Sequence, residues 1–266
     1  MTVKRYNKCV ANKRKEKRRN IFVIHPIRVK KRADSPFLEC EKWWVFAVLM
    51  AVGGFYGGFT YSVRGGVFAN AQTSNFILLS MHGAKGEWLI ALSYLVPIFS
   101  YLAGTIFSDA IATPIRRLRI VRWDTVMIFI EMLTVILLGV LPEQAPVQIS
   151  QILITFVCAM RYHTFRQAQK IPMATTFCTN HLRQTGAALS AWVRHKDRAK
   201  RTVAFRHIAM LLLFALGVYL AAVLCQLFLG RAIFFALIPL SVVFARLLWA
   251  DLTKERNQLD QIPSGH

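Results

Sequence analysis

Two short polar stretches interrupt an otherwise apolar chain. The first, Phe68-Ala69-Asn70-Ala71-Gln72-Thr73-Ser74-Asn75, follows the first long apolar run. The second, Ala174-Thr175-Thr176-Phe177-Cys178-Thr179-Asn180-His181, follows the fourth. Amides and hydroxyls at membrane depth are costly unless they pair with one another, with backbone or with a passing solute. Asn70, Gln72, Thr73 and Asn75, with Thr175, Thr176, Thr179 and Asn180, are therefore the candidate ligands for a small solute. In a helix, Gln72 and Asn75 would be i,i+3 neighbours. Gly65-Gly66 just before them permits a close backbone approach or a helix start. The same residues fit a second role, interhelical hydrogen bonding worth about 0.6–2 kcal/mol per contact.

Glu131 is the sharpest single residue, because it lies midway along an apolar run. An ionised carboxylate there costs about 2.5–3.5 kcal/mol on insertion scales. It is a candidate proton carrier, and equally a structural carboxylate that is protonated or paired. Asp109 and Asp124 lie near run ends, and Arg246 is close enough to an end to snorkel. Arg161, His163 and Arg166 cluster at the cytoplasmic end of the fourth run, either as an anion site or, for the two arginines, as anchors at the membrane surface. Gly53, Gly54, Gly57 and Gly58 form two overlapping GxxxG patterns, which point to close helix packing or to a broken span.

The elements that must position these groups are membrane spans. Apolar residues make up 55% of the 266 positions, and about 20 of them cross a hydrocarbon core of about 30 Å. Six runs qualify, at 43–63, 88–110, 123–141, 147–165, 204–229 and 232–250. The expected fold is an all-α polytopic membrane protein with six transmembrane helices in two inverted three-helix repeats, each with a polar, re-entrant segment. The expected organisation is a basic cytoplasmic tail (1–42), a membrane domain (43–250, with repeats at about 43–141 and 147–250) and a short cytoplasmic tail (251–266).

The net charge of +21 raises a nucleic-acid reading that its distribution argues against. Of the 34 Lys and Arg residues, 14 precede the first run, four lie between the second and third, and ten fall between Arg161 and Arg206. The alternate connections carry two, none and one. This positive-inside pattern predicts an inner-membrane protein with both termini cytoplasmic. The run Lys13-Arg14-Lys15-Glu16-Lys17-Arg18-Arg19 is expected to face anionic lipid headgroups, and residues 1–42 do not read as a secretory signal peptide. Cys9, Cys40, Cys158, Cys178 and Cys225 lack CxxC spacing and read as free thiols, with no metal site and no cofactor implied.

The repeats rest on a shared order: a span, a polar stretch, then two more spans. At a constant offset of 106, Phe59 meets Phe165, Thr73 meets Thr179 and Gly66 meets Pro172; a slip of one sets Asn75 against Asn180. Three spans per repeat make the second copy upside down relative to the first, an arrangement common in secondary transporters.

The motif Gly57-Gly58-Phe59-Thr60, then Arg64 through Asn75, resembles the first signature of the YoaK family of six-span bacterial membrane proteins. Met160 through Arg166, then Ala174 through Asn180, resembles the second, and the likeness covers about residues 43–250. Ser74 stands where the family carries the first glycine of Thr-Gly-Asn, and Asn180-His181 stands at the second Gly-Asn. Arg161-Tyr162 replaces a frequent Gln-Asn. The resemblance implies a fold and a site location; the family's domain is classed as of unknown function.

Nucleotide loops, GxSxG, HExxH and paired carboxylates are lacking, so the expectation is a small-solute transporter or permease, not an enzyme. The alternative is a non-transport component, an assembly factor or sensor, whose polar segments serve packing.

Overall fold

The computed structural model describes residues 37–263. The 13–19 basic run, the rest of the tail up to residue 36, Cys9 and residues 264–266 lie outside the described residues. Apart from one two-residue hairpin, the elements are helical: α1 (Trp43–Val63), α2 (Gln72–Ala84), α3 (Trp88–Ser93), α4 (Leu95–Leu118), α5 (Trp123–Val140), α6 (Val147–Thr164), α7 (Thr179–His195), α8 (Arg198–Phe228) and α9 (Leu237–Leu252). The hairpin, β1 (Gln167–Ala168) and β2 (Ile171–Pro172), lies between α6 and α7, and a 3-10 segment (Leu229–Ala236) joins α8 to α9.

Four helical stretches are long and apolar enough to cross a bilayer: Trp43–Val63, Trp88–Leu118, Trp123–Val140 and the 55-residue Arg198–Leu252. The protein is thus a multi-span helical membrane protein. Two predicted runs, 204–229 and 232–250, fall inside the last stretch, where Leu229 at φ 49° breaks the α-helical path. The predicted 147–165 run forms α6, but Gln148, Ser150, Gln151, Arg161 and His163 reduce its apolarity. The second run extends past residue 110 to Leu118, ending on Arg116 and Arg117; cations suit a helix C-terminus.

Glycine decides which helix lies at the centre. Protein covers 78% of the apolar window of α1, against 22% for Trp88–Leu118 and for Arg198–Leu252. Leu89, Leu212, Tyr219, Leu227 and Ile238 stay uncovered on the outside, as a lipid-facing surface requires. α1 packs along α8, and α4 packs along α6. A Cβ at Gly54 would stand 2.1 Å from the Phe214 carbonyl oxygen, and one at Gly217 would stand 2.0 Å from that of Ala51. Gly104 of α4 lies against the Phe156 carbonyl of α6 in the same way, at 2.4 Å. Backbones this close gain dispersion contacts that larger residues would forbid.

The two GxxxG patterns serve different faces. Gly54 and Gly58 meet α8, at Phe214 and at Val218 and Ala221. Gly53 faces the Thr175 carbonyl and Gly57 faces the Asn70 side chain. One pair joins helices, and the other makes room for the two polar stretches.

One end of the bundle is held by buried charge. Arg122 Nε lies 3.4 Å from Asp251 Oδ1 and 3.4 Å from Glu255 Oε2. Its Nη1 and Nη2 donate to the Gln261 and Gln258 carbonyls at 3.0 and 2.7 Å. Thr125 Oγ1 donates to Asp251 Oδ2 at 2.6 Å, and the Glu39 N–H donates to Glu255 Oε1 at 2.7 Å. Residues 37–42 and 251–263 thereby join the packed body, where Leu38, Glu39 and Cys40 are buried. Burial pushes the Glu255 carboxyl above the ordinary carboxylate range, against the pull of the Glu39 N–H and Arg122.

Arg122→Ala strands two buried carboxylates and is expected to cost about 3–5 kcal/mol. A carboxyl that holds its proton more tightly when folded loses stability as pH rises through its folded pKa. The deficit is therefore largest at neutral pH and shrinks toward pH 4. Thermal melts of the detergent-solubilised protein across that range measure it; a Tm matching the wild type at pH 7 rules out the lock.

Candidate functional site

The first polar stretch owes its path to two glycines. α1 ends at Arg64, and Gly65 and Gly66 follow at φ 84° and 67°, a region costly for a residue with a Cβ. The chain turns back, burying Val67, Ala69 and Asn70. Asn70 Nδ2 donates to the Gly53 carbonyl at 3.1 Å and to the Thr176 carbonyl at 2.8 Å. α2 then begins at Gln72, whose Nε2 donates to the Ala69 carbonyl at 3.1 Å. Gln72 and Asn75 do stand one turn apart, with Asn75 Nδ2 donating to Gln72 Oε1 at 3.0 Å.

The second stretch reverses differently. Gln169 and Lys170, at φ 50° and 67°, form the tip of the β1–β2 hairpin. Two consecutive positive φ values suit a tight hairpin turn. Met173, Ala174, Thr175 and Thr176 are buried beyond it, and α7 starts at Thr179. The helix starts Gln72 and Thr179 stand 107 positions apart, whereas the left-handed pairs beginning at Gly65 and Gln169 stand 104 apart. A single offset does not hold along these segments, because the connections differ in length.

The two stretches meet around shared space. A cavity of about 860 Å³ is bordered by Gln72, Thr73 and Ser74 from the first stretch, Thr179 from the second, and Tyr101 and Thr105 of α4. A second, of about 440 Å³, shares Asn70, Ser74 and Thr179 and adds Thr176 and Gly57. A third, of about 600 Å³, shares Tyr101 and Thr105 and opens among His163, Arg166, Asn180 and Arg183. Thr73 and Thr179 thus face one cavity, and Asn180 borders another. Asn75 and Thr175 are buried and border none of the three.

Glu131 and Arg161 form a wholly buried ion pair, with Arg161 Nη1 donating to Glu131 Oε1 at 2.7 Å. Arg161 Nη2 reaches the Thr175 carbonyl at 3.4 Å, and its guanidinium lies 5.4 Å from the Tyr56 ring centre. Arg161 is therefore an interior residue, not a surface anchor; the anchor reading fits Arg166, which is exposed. Arg64, counted in an outer connection, is also buried, at 5.8 Å from the Phe59 ring centre.

His207 has no sequence signal beyond its place in a basic segment. Its Nδ1 lies 2.8 Å from His181 Nδ1, and His181 Nε2 donates to the Ala174 carbonyl at 2.9 Å. A carbonyl only accepts. With His181 neutral, its Nδ1 accepts in turn and His207 Nδ1 donates. The pair ties the second polar stretch to α8. Among the described residues no group of three or more His, Cys, Asp and Glu side chains could hold a metal ion. Cys40, Cys158, Cys178 and Cys225 are free thiols.

These elements define a multi-span helical membrane protein whose two chain reversals meet at a common cavity. The model of the family described as "Protein of unknown function (DUF1275)" matches residues 45–246. The chain belongs to that family, in agreement with the YoaK-type signatures around Asn70 and Thr175. No curated protein and no solved structure matches the chain.

Proposed function

We propose that the protein is a small-solute transporter or permease of the inner membrane, with its site where the two polar stretches meet. The observation that carries this reading is the convergence of Thr73 and Thr179, from distant parts of the chain, on one cavity. A repeat relationship supports it. α1 pairs with α8 and α6 pairs with α4, so the first helix of each proposed three-helix repeat packs on the second crossing element of the other. Such reciprocity suits inverted repeats about an axis in the membrane plane. Six crossings with both termini cytoplasmic complete the proposal; the alternation of Lys and Arg supports the orientation.

The residues divide by role. Asn70 spends its amide on two backbone carbonyls, so it fastens the two stretches together, as the packing alternative requires of it. Gln72, Thr73, Thr179 and Asn180 face cavities and take the solute contacts. Thr176 borders the adjoining cavity, and Thr175 and Asn75 are packed behind its walls. Glu131 holds Arg161 against the Thr175 carbonyl, a positioning role that replaces direct proton carriage. The reading makes the protein a carrier and not an enzyme.

Cysteine placed singly at Thr73 or Thr179, in a chain lacking its five native cysteines, tests this. A membrane-impermeant thiol reagent is applied to right-side-out and inside-out vesicles, with Lys85→Cys as the exposed control. Both positions are expected to react, with the accessible side changing between conditions. Reaction at residue 85 alone overturns the carrier reading.

A further inference from the structure

The cavity between the polar stretches has a consistent electrostatic sign. α2 and α7, of 13 and 17 residues, both begin at its wall, at Gln72 and Thr179. Neither has a side chain capping its N-terminus, and neither carries an acidic residue in its first turn. Uncapped first-turn N–H groups and the positive ends of two helix dipoles then act on one space. Each terminus alone is an ordinary helix start, but here two from distant parts of the chain converge.

A second observation is independent of the helices. The Thr176 hydroxyl is wholly buried and has no hydrogen-bond partner, and Thr176 borders the adjoining 440 Å³ cavity beside Thr179 and Ser74. A buried hydroxyl left unpaired costs free energy unless a ligand engages it. The outlet toward α7 is cationic: Arg183, fixed by its bond to Asn180 Oδ1 at 3.2 Å, and Arg166 border the third cavity. Among the described residues no carboxylate borders any of the three. Asp109 pairs at 3.4 Å with His163, which borders the third. A cation would meet two positive helix ends with no counter-charge, whereas an anion finds N–H and O–H donors and then guanidinium groups.

We propose that the solute is a small anion bearing a carboxylate or comparable oxyanion, held between the N-terminal turns of α2 and α7 and passed to the Arg183 vestibule. This rests on the carrier reading above and names its substrate class.

The test uses the full chain in liposomes and follows uptake of labelled lactate, succinate, nitrate, sorbitol and choline down equal gradients. Lactate or succinate entering above protein-free liposomes identifies an organic acid, and nitrate an inorganic oxyanion; either supports the proposal. Thr179→Asp puts a carboxylate at the cavity wall where it favours the helix start, so the protein stays folded while anion uptake falls to background. Arg183→Gln lowers uptake by about three- to tenfold, and Arg183→Lys keeps most of it. Sorbitol or choline entering in place of the anions overturns the proposal and leaves the carrier reading standing. Failure of all five also overturns it, and the cysteine labelling then decides the carrier reading separately. Anion uptake unchanged by Thr179→Asp overturns the placement of the site.

Discussion

Glu131→Gln lowers the yield of folded protein and its thermal stability, and adding Arg161→Met to it restores much of both. The guanidinium of Arg161 is wholly buried, and among the described residues its one carboxylate partner is Glu131. Removing the charge of one member leaves the other uncompensated in a medium that cannot hydrate it, at about 3–5 kcal/mol. Removing both takes away the stranded charge as well as the attraction. Arg161→Met alone is the mirror experiment, leaving an orphan carboxylate that can neutralise itself by taking a proton, so its loss is smaller. Melting temperatures of the three variants close the cycle. A folded, fully stable Glu131→Gln protein whose uptake has lost its pH dependence would instead return Glu131 to proton carriage. Normal stability with unchanged pH dependence would remove it from both roles.

Gly217→Val abolishes assembly of the bundle. Its Cβ would stand 2.0 Å from the Ala51 carbonyl oxygen and 2.9 Å from the Phe55 nitrogen. Those atoms belong to the backbone of α1, so relief requires the two helices to part along their shared length. Interhelical packing is a main source of association inside a bilayer, and the loss spreads to Gly54 and Gly58. Gly186→Ala is the matched control. Nothing lies within 4 Å of its Cβ, and alanine suits a helix interior by about 1 kcal/mol. Size-exclusion profiles in mild detergent separate the outcomes: a monodisperse peak for Gly186→Ala, and aggregate or no protein for Gly217→Val. A monodisperse Gly217→Val protein would show that the α1–α8 seam tolerates widening.

Local pattern made much of this fold legible. Apolar run length announced α1, α5 and the α8–α9 stretch, because a span is a property of consecutive residues. Amide spacing made Gln72 and Asn75 i,i+3 neighbours for the same reason, while the bond between them is seen only in the structure. The pairing of Glu131 with Arg161 was not legible: they lie on different helices, and Arg161 sits where a surface anchor also would. His207 was hidden in a basic segment whose charges are topological. A constant offset does not run through both polar segments, because a β-hairpin turns the chain before α7 and a glycine pair turns it before α2. A backbone reversal can be made by unlike residues, so matching positions need not carry matching residue types.

The seam between α1 and α8 also sets a schedule. Gly54 and Phe214, which touch in the finished protein, stand 160 positions apart in the chain. At roughly 5–20 residues per second of synthesis, α1 waits about 8–30 s for the helix that will cover it. During that interval the helix that ends most enclosed is among the most open, with its glycine face turned to lipid or to a neighbouring chain. Asn70 is also made before the Thr176 carbonyl it will bind. Cells making this protein must therefore shelter an unfinished helix for a time that is long beside most folding steps. Ribosome stalling between α1 and α8 is the point in its life at which the chain is most exposed to quality control.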